Sequence, residues 1–259
     1  MARRVAVVGA LGRMGEAVRA AVDLHPDLEL HAALEGAGHP GLGTELAAGV
    51  VVRDDPKAVL QGCDVAIDFS VPAATLANLR VAAEAGVAYV TGTTGFDAAG
   101  KALIAAQAER IPVVHAPNFS VSVNVLIWLV REAARKLGPE YDAELFEIHH
   151  SQKRDAPSGT ALRLAEAVAE GRGGNSPLRL SREGEVGARR EGEIGVAALR
   201  GGDNAGEHTV YFVGGGERIE LVHRSHTRDH FARGAVRAAG WLTGKPAGLY
   251  PIEEILGLL

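Results

Sequence analysis

The sequence has a single cysteine and no long apolar run, and each shortage excludes a class of protein. Because Cys63 is the only cysteine among 259 residues, no disulfide can form within the chain, which is typical of a reducing compartment. No apolar run approaches the roughly 20 residues of a membrane span. The first apolar run ends at Gly9 and meets Arg13, too short for a signal peptide. We therefore expect a soluble, globular, cytoplasmic protein.

An excess of basic charge is also missing. The chain has 27 lysines and arginines against 32 aspartates and glutamates, a formal net charge of -5. Nucleic-acid binding requires clustered basic charge on one face. The densest basic stretch, residues 179–200, interleaves its arginines with glutamates, which is typical of a solvated surface. We therefore expect no nucleic-acid partner.

The first 120 residues alternate between strand-like and helical patterns. This alternation predicts a parallel sheet that is covered on both faces, in a Rossmann-type α/β domain. The predicted strands are 4–9, 28–34, 64–69, 88–91 and 112–115, and the predicted helices are 14–24, 73–85 and 98–110.

A glycine turn follows the first predicted strand. The stretch "GALGRMG" places Gly9, Gly12 and Gly15 three residues apart, between a strand and a helix. Such a turn lets a pyrophosphate approach backbone N–H groups at the positive end of a helix. Glu35 ends the second predicted strand, where dinucleotide-binding folds place the carboxylate that binds ribose hydroxyls. The alternative is that these glycines serve only turning and packing.

Two further stretches lie where predicted parallel strands end. They are "TGTTG", residues 91–95, and "APNFS", residues 116–120. Ligands of open α/β sheets bind outside the carboxyl ends of the strands, so both are candidates for cofactor contact. Each is also explained by an ordinary turn.

The pattern changes after residue 120. A long apolar helix is predicted over 121–137, a strand over 143–149 and a helix over 159–169. Strands separated by glycine-rich turns follow over 178–199 and 208–224, and a last amphipathic helix covers 231–242. We expect a second, α+β domain with a mixed or antiparallel sheet.

The stretch "EIHHSQKRDAPSGTA", residues 147–161, concentrates titratable groups beside a helix start. On a strand, Glu147 and His149 share one face, and adjacent histidines such as His149 and His150 do not converge on one metal ion, so no metal site is expected. Histidine and Lys153 suit proton transfer. The N–H and hydroxyl groups of residues 158–160 suit a carboxylate, unless they form only a capped helix.

These motifs together resemble the 4-hydroxy-tetrahydrodipicolinate reductase family of diaminopimelate and lysine biosynthesis. The matching stretches are "VAVVGALGRMG", "DFS", "TGTTGFD", "APNFSVSVN", "EIHHSQKRDAPSGTA" and "GEHTVYF", in that order along nearly the whole chain. The resemblance implies a Rossmann domain over residues 1–119, completed by 230–259, and a substrate-binding and tetramerisation domain over 120–229. It also implies a homotetramer that reduces a cyclic hydroxy-dicarboxylate with NADH or NADPH.

The resemblance also implies a role for each residue that matches a motif. His149 and Lys153 carry protons, and His150, Gly159 and Thr160 bind the substrate carboxylates. Where family members that accept NADPH carry an arginine, this chain has Gly36. The implied cofactor-binding residues are Gly9, Ala10, Leu11, Gly12, Arg13, Met14, Glu35, Gly92, Thr93, Thr94, Ala116, Pro117, Asn118 and Phe119.

Two other functions share part of this pattern. An amino-acid dehydrogenase shares the glycine turn but has no need of the loop with His149 and Lys153. A non-catalytic dinucleotide sensor needs only the glycine turn and Glu35. Oxidation of NADH by the hydroxy-dicarboxylate distinguishes the reductase from both.

Overall fold

The computed structural model describes residues 2–227 and 229–259, which form two units. One unit joins the chain up to Val121 with Asp229–Leu259, and the other begins at Ser122. Within the described ranges, no helix is both long enough and apolar enough to cross a membrane.

The first unit is built on an eight-stranded sheet in the order β13-β7-β6-β5-β1-β2-β4-β3. Every neighbouring pair is parallel except β3 and β4. The strands are β1 (Arg3–Val8), β2 (Leu28–Leu34), β3 (Glu45–Ala47), β4 (Val50–Arg53), β5 (Val65–Asp68), β6 (Ala88–Thr91), β7 (Pro112–His115) and β13 (Gly248–Tyr250). The helices are α1 (Arg13–Asp23), α2 (Pro56–Leu60), α3 (Pro72–Ala85), α4 (Ala98–Ala108), α7 (Asp229–Leu242) and α8 (Ile252–Ile255).

Both faces of this sheet are buried. Val5 and Val7 of β1 enter the core that contains α1 and α7, whereas Ala6 and Val8 enter the core that contains α2, α3 and α4. All four side chains are at most 3% exposed. A strand buried on both faces is a continuous apolar run, as "VAVV" is, because neither side of it meets water.

The second unit contains a five-stranded mixed sheet in the order β12-β11-β8-β10-β9. Strands β8, β10 and β9 are parallel, and β11 is antiparallel to both β8 and β12. Its elements are α5 (Val121–Leu137), β8 (Asp142–His149), α6 (Gly159–Gly171), β9 (Leu178–Arg179), β10 (Ile194–Arg200), β11 (Glu207–Val213) and β12 (Arg218–Arg224).

Among the described residues of the second unit, helices cover one face of its sheet. Leu145 and Val210 on that face pack with residues of α5 and α6 in a single core. The opposite face, here called the open sheet face, carries apolar side chains from four strands. These are Phe146, Ile148, Ala197, Leu199, Tyr211 and Val222.

The predicted α/β fold class is confirmed, and so is the second, α+β domain with a mixed sheet. The helix predicted over residues 121–137 has those bounds. The strand predicted over 178–199 is wrong in its middle, because residues 180–193 form a loop between β9 and β10. Gly184, Gly187 and Gly192 in that loop have φ of 68°, 74° and 74°, a left-handed conformation that ends strand pairing. The elements β3, β4, α2, β13 and α8 were not predicted.

Candidate active site

The predicted cofactor-binding residues of the first unit lie at one edge of its sheet. Residues 9–14 follow β1, Glu35 follows β2, residues 92–94 follow β6 and residues 116–119 follow β7. These parallel strands end at the same edge of the sheet. Strands β2 and β4 lie on one side of β1, and β5, β6 and β7 lie on the other, so the strand order reverses between β1 and β5. Such a switch point is where open α/β sheets bind ligands.

The glycine turn has the features that a dinucleotide pyrophosphate requires. Gly9 has φ of 69°, and a Cβ on Gly15 would lie 2.0 Å from the Gly9 carbonyl oxygen, so helix α1 packs against the turn only without a side chain there. Helix α1 begins after Gly12, and no side chain caps it. Its first N–H groups therefore suit a phosphate, and the residues present fit the cofactor that the motif implies.

Glu35 is tied to this turn by its own carboxylate. Its Oε1 accepts a hydrogen bond from the Leu11 N–H at 2.7 Å, and its Oε2 accepts one from the Gly36 N–H at 3.2 Å. The carboxylate is therefore held beside the turn, where a ribose hydroxyl can donate to it.

A cleft of about 540 Å³ opens beside Glu35. Gly9, Leu11, Gly12 and Glu35 line it, but residues 92–94 and 116–119 do not. The sequence prediction missed other residues that line it. His39, Asp54 and Asn78 belong to no recognised motif, and Ser70 ends the matching stretch "DFS" but was given no role. Only part of the predicted cofactor set thus shares this cleft.

The turn that carries Thr93 is anchored by a buried polar network. Asp68 accepts hydrogen bonds from the Tyr89 hydroxyl at 2.5 Å and the Ser70 N–H at 2.7 Å. Thr75 lies within hydrogen-bond distance of Ser70 and donates to the Thr93 hydroxyl at 2.8 Å. Burial raises the pKa of Asp68 above its ordinary value. The network ties the ends of β5 and β6 together.

Aromatic packing brings residues 92 and 119 into the same region. A Cβ on Gly92 would lie 2.0 Å from the Phe69 ring, so glycine is required at that position. The Phe69 ring meets the Phe119 ring edge-on at a centroid distance of 5.8 Å. Phe69 therefore bridges the ends of β5, β6 and β7.

In the second unit, Glu147 and His149 are in direct contact at the end of β8. The Glu147 carboxylate is 1% exposed, and its Oε2 lies 2.5 Å from Nδ1 of His149. The two side chains lie on the same face of β8, as predicted, and this face is the buried one. They share it because alternate residues of a strand point to the same side.

Charged groups from several elements surround His149. Burial lowers its pKa below the ordinary value, Glu147 opposes that effect, and Lys153 and Arg200 add to the lowering. The His208 ring of β11 meets the His149 ring edge-on at 5.1 Å. Burial, with a contribution from His149, lowers the pKa of His208 to about 3, so His208 is neutral near pH 7.

The remaining predicted residues lie in the loop after β8 and at the start of α6. Lys153 forms an ion pair with Asp155 at 2.9 Å and donates its N–H to the His150 carbonyl at 3.1 Å. Gly159 and Thr160 are the first two residues of α6. One loop therefore joins His149 to the helix N-terminus.

Two sequence-based interpretations in this region hold only in part. The Ser158 hydroxyl is buried and caps α6 by accepting a hydrogen bond from the Ala161 N–H at 3.1 Å. It also contacts His208 Nε2 at 3.1 Å, so its hydrogen-bond partners lie within the protein. The basic stretch 179–200 is exposed over most of residues 179–191, as predicted, but Arg200 at its end binds the buried Glu147. Sequence neighbours gave no sign of these partners.

Gly206 lies directly against the catalytic candidate His149. Its φ is 138°, and a Cβ built there would lie 2.8 Å from Nε2 of His149. The backbone at the start of β11 therefore approaches the imidazole more closely than any side-chain-bearing residue allows.

Among residues 2–227 and 229–259, no group of three or more His, Cys, Asp or Glu side chains is arranged to hold a metal ion.

Comparison with known proteins identifies relatives across the whole chain. Residues 3–119 match the family model for the N-terminus of dihydrodipicolinate reductase, and residues 122–256 match the model for its C-terminus. The 4-hydroxy-tetrahydrodipicolinate reductase of Anaeromyxobacter sp. (strain Fw109-5) is 53% identical and covers 98% of this chain and 97% of its own. That of Geotalea uraniireducens is 48% identical, with 98% and 99% covered.

A solved structure is similar over the same extent. The dipicolinate-bound dihydrodipicolinate reductase from Paenisporosarcina sp. TG-14 superposes with a TM-score of 0.82 at 26% identity. The similarity covers 98% of this chain and 99% of that one.

Proposed function

The chain belongs to the dihydrodipicolinate reductase family, and on that premise we propose that His149 and Lys153 carry the protons of its reaction. That reaction is the NAD(P)H-dependent reduction of 4-hydroxy-2,3,4,5-tetrahydrodipicolinate to tetrahydrodipicolinate, with loss of water, in lysine biosynthesis by the diaminopimelate pathway. The observation that carries the proposal is the His149 imidazole, held by the buried Glu147 at the start of the loop that bears Lys153.

A bound NADH or NADPH supplies the hydride of this reaction. The residues at the edge of the first sheet orient it, with the N-terminus of α1 at the pyrophosphate and Glu35 at the adenosine ribose. Residues 92–94 and 116–119 contact its nicotinamide half. Residues 1–119, completed by 230–259, form the domain that performs this binding.

Residues 120–229 bind the dicarboxylate. His150, Gly159 and Thr160 hold its two carboxylates, because a helix N-terminus and a polar loop offer the donors that such a dianion needs. Hydride addition leaves excess electron density on the ring of the substrate. His149 and Lys153 together supply the proton that neutralises it. A group with a pKa near neutrality suits this transfer.

The open sheet face supports a homotetramer. Leu199 and Val222 on that face are 44% and 40% exposed, although they belong to the same apolar group as Phe146 and Ile148. A second copy of the chain would cover this group and remove it from water. We propose that the tetramer is cytoplasmic, because a chain with one cysteine forms no internal disulfide, as is typical of proteins in a reducing compartment.

The decisive experiment measures kcat, NADH affinity and melting temperature for His149→Gln, Lys153→Ala and His150→Gln. We expect the first two each to lower kcat by about 10² to 10⁴, the usual contribution of general acid catalysis, with NADH affinity and melting temperature nearly unchanged. His150→Gln should act mainly on KM. The double variant of His149 and Lys153 should lose less than the product of the two single effects.

Wild-type activity in folded His149→Gln would remove that residue from the mechanism. An enzyme that consumes NADH with an amino-acid or imino-acid substrate, but not with enzymatically generated hydroxy-tetrahydrodipicolinate, would overturn the reaction itself. Binding of NADH without its oxidation would indicate a dinucleotide sensor.

A further inference from the structure

Glu147 lies at the centre of a buried contact set that reaches three parts of the second unit. Arg200 of β10 donates to its Oε2 from Nη1 at 2.9 Å and to its Oε1 from Nη2 at 3.0 Å. The Ser158 N–H donates to Oε1 at 3.0 Å, and His149 Nδ1 lies 2.5 Å from Oε2. Each carboxylate oxygen therefore has two partners, which is what a buried carboxylate requires.

These partners keep the carboxylate ionised. Burial alone would raise the pKa of Glu147, but hydrogen bonds from Arg200, His149 and Ser158 outweigh it and lower the pKa below its ordinary value. An ionised carboxylate only accepts hydrogen bonds. The contact at 2.5 Å therefore requires the hydrogen to be on Nδ1 of His149, and Nε2 is the ring nitrogen that remains for exchange.

We propose that Glu147, clamped by Arg200, is a positioning residue for His149: it keeps a hydrogen on Nδ1 and assigns proton exchange with the substrate to Nε2. The inference rests on the proposed role of His149 as proton carrier. Arg200 extends the arrangement, because its guanidinium also donates to the Asp155 carbonyl in the loop that bears Lys153. One arginine thus orients both candidate proton carriers.

The charges around His149 give this arrangement an electrostatic consequence. Glu147 faces the imidazole from β8, Arg200 from β10, His208 from β11 and Lys153 from the loop after β8. His208 is neutral near pH 7, and the charges of Arg200 and Lys153 lower the pKa of His149. Glu147 is the group among these four that favours the imidazolium, so removing its charge lowers the pKa of His149 further.

The test uses nitrogen-detected NMR on the apo protein with ¹⁵N-labelled histidine. The signals of His149 are assigned by their loss in His149→Gln, and its tautomer and pKa are read from the shifts of both ring nitrogens across a pH titration. In the wild type we expect a pyrrole-type Nδ1 and a pyridine-type Nε2 above the pKa. In Glu147→Gln we expect the other tautomer to appear and the pKa to fall by about 1 or more, since the charge of a contact partner is lost.

Kinetics on the same variants provide the second readout. A proton donor works in its protonated form, so the alkaline limb of kcat should move to lower pH in Glu147→Gln. At pH 8, well above the pKa, kcat should fall about tenfold for a drop of 1 in pKa. Glu144→Gln is the matched control. Glu144 lies on the same strand and also binds arginines, Arg182 and Arg189, but belongs to the open sheet face. It should leave the limb and the tautomer unchanged.

The outcomes separate this inference from the proposed function. A pyridine-type Nδ1 in the wild type would by itself overturn the inference. The inference can therefore be rejected even if Glu147→Gln does not fold. An inactive His149→Gln, combined with an unshifted limb and unchanged tautomer in folded Glu147→Gln, would reject the role of Glu147 alone. A fully active His149→Gln would reject the proposed proton carrier itself.

Discussion

At the scale of single residues, we expect the cofactor choice to depend on Glu35 and Gly36. Hydrogen bonds to the Leu11 and Gly36 N–H groups hold the Glu35 carboxylate on the glycine turn, so it cannot swing away from a 2′-phosphate. No guanidinium at position 36 offsets the repulsion. We therefore expect NADH to be used at least as well as NADPH, which the ratio of the two kcat/KM values measures. A tenfold preference for NADPH would contradict the prediction.

Substitution at Gly36 tests the same prediction in the other direction. A Cβ there would meet no atom within 4 Å, and its φ lies outside the left-handed region, so Gly36→Arg is accommodated. Its guanidinium should move the kcat/KM ratio toward NADPH. Ala37→Arg adds the same charge one position later in the cleft lining and should change the ratio less. Equal effects of the two variants would indicate general charge attraction.

A second residue-scale prediction concerns the start of α6. Thr160 is the second residue of that helix, and we propose that it binds a substrate carboxylate. Thr160→Val keeps the shape and loses the hydroxyl, which should raise KM for the dicarboxylate by the equivalent of about 1.5 to 3 kcal/mol, with NADH affinity unchanged. Ser151→Ala, an exposed hydroxyl of the same loop, is the control. A loss of NADH affinity instead would assign the loop to the cofactor.

At the scale of elements, the start of β11 sets the position of the His149 ring. Gly206→Ala would place a methyl group 2.8 Å from Nε2 and would impose a side chain at φ of 138°. Displacement of a catalytic group by about 1 Å costs about 10²-fold in rate, and we expect a fall in kcat of that order.

Gly216→Ala separates backbone strain from this displacement. Gly216 lies in the turn between β11 and β12 with φ of 88°, and a Cβ there would meet nothing within 4 Å. The variant should lose roughly 1 kcal/mol of stability and keep its kcat. If both glycine variants kept full kcat in the folded state, the close approach of β11 to His149 would have no catalytic role.

At the scale of the whole molecule, we propose that the open sheet face is the surface through which copies of the chain assemble. Val222→Glu puts a charge among apolar side chains that a second copy of the chain would bury, and burial of an unpaired charge is costly. Light scattering after size exclusion should show a tetramer for the wild type, as proposed, and smaller species for the variant. Leu24→Glu is the control, because Leu24 is 77% exposed on the first unit. A tetramer that persists in Val222→Glu would move the interface elsewhere.

The sequence alone predicted the features that depend on neighbours along the chain. The glycine turn between β1 and α1, the carboxylate of Glu35 at the end of β2 and the loop from His149 to Thr160 are local motifs, and their conformations follow from adjacent residues. The alternation of strands and helices predicted the parallel sheet for the same reason, since burial on both faces makes each strand an apolar run.

Only the tertiary structure brought together Glu147, Arg200 and His208. Their convergence depends on register: Arg200 of β10 pairs with His149, and His208 of β11 pairs with Glu147, across strands about 50 to 60 residues apart in the chain. In the sequence, Arg200 is one arginine of a mixed-charge stretch, and His208 lies in the matching stretch "GEHTVYF" with no role assigned to it. Strand order and register, which long-range packing decides, turn a pair on one strand into a buried charged site.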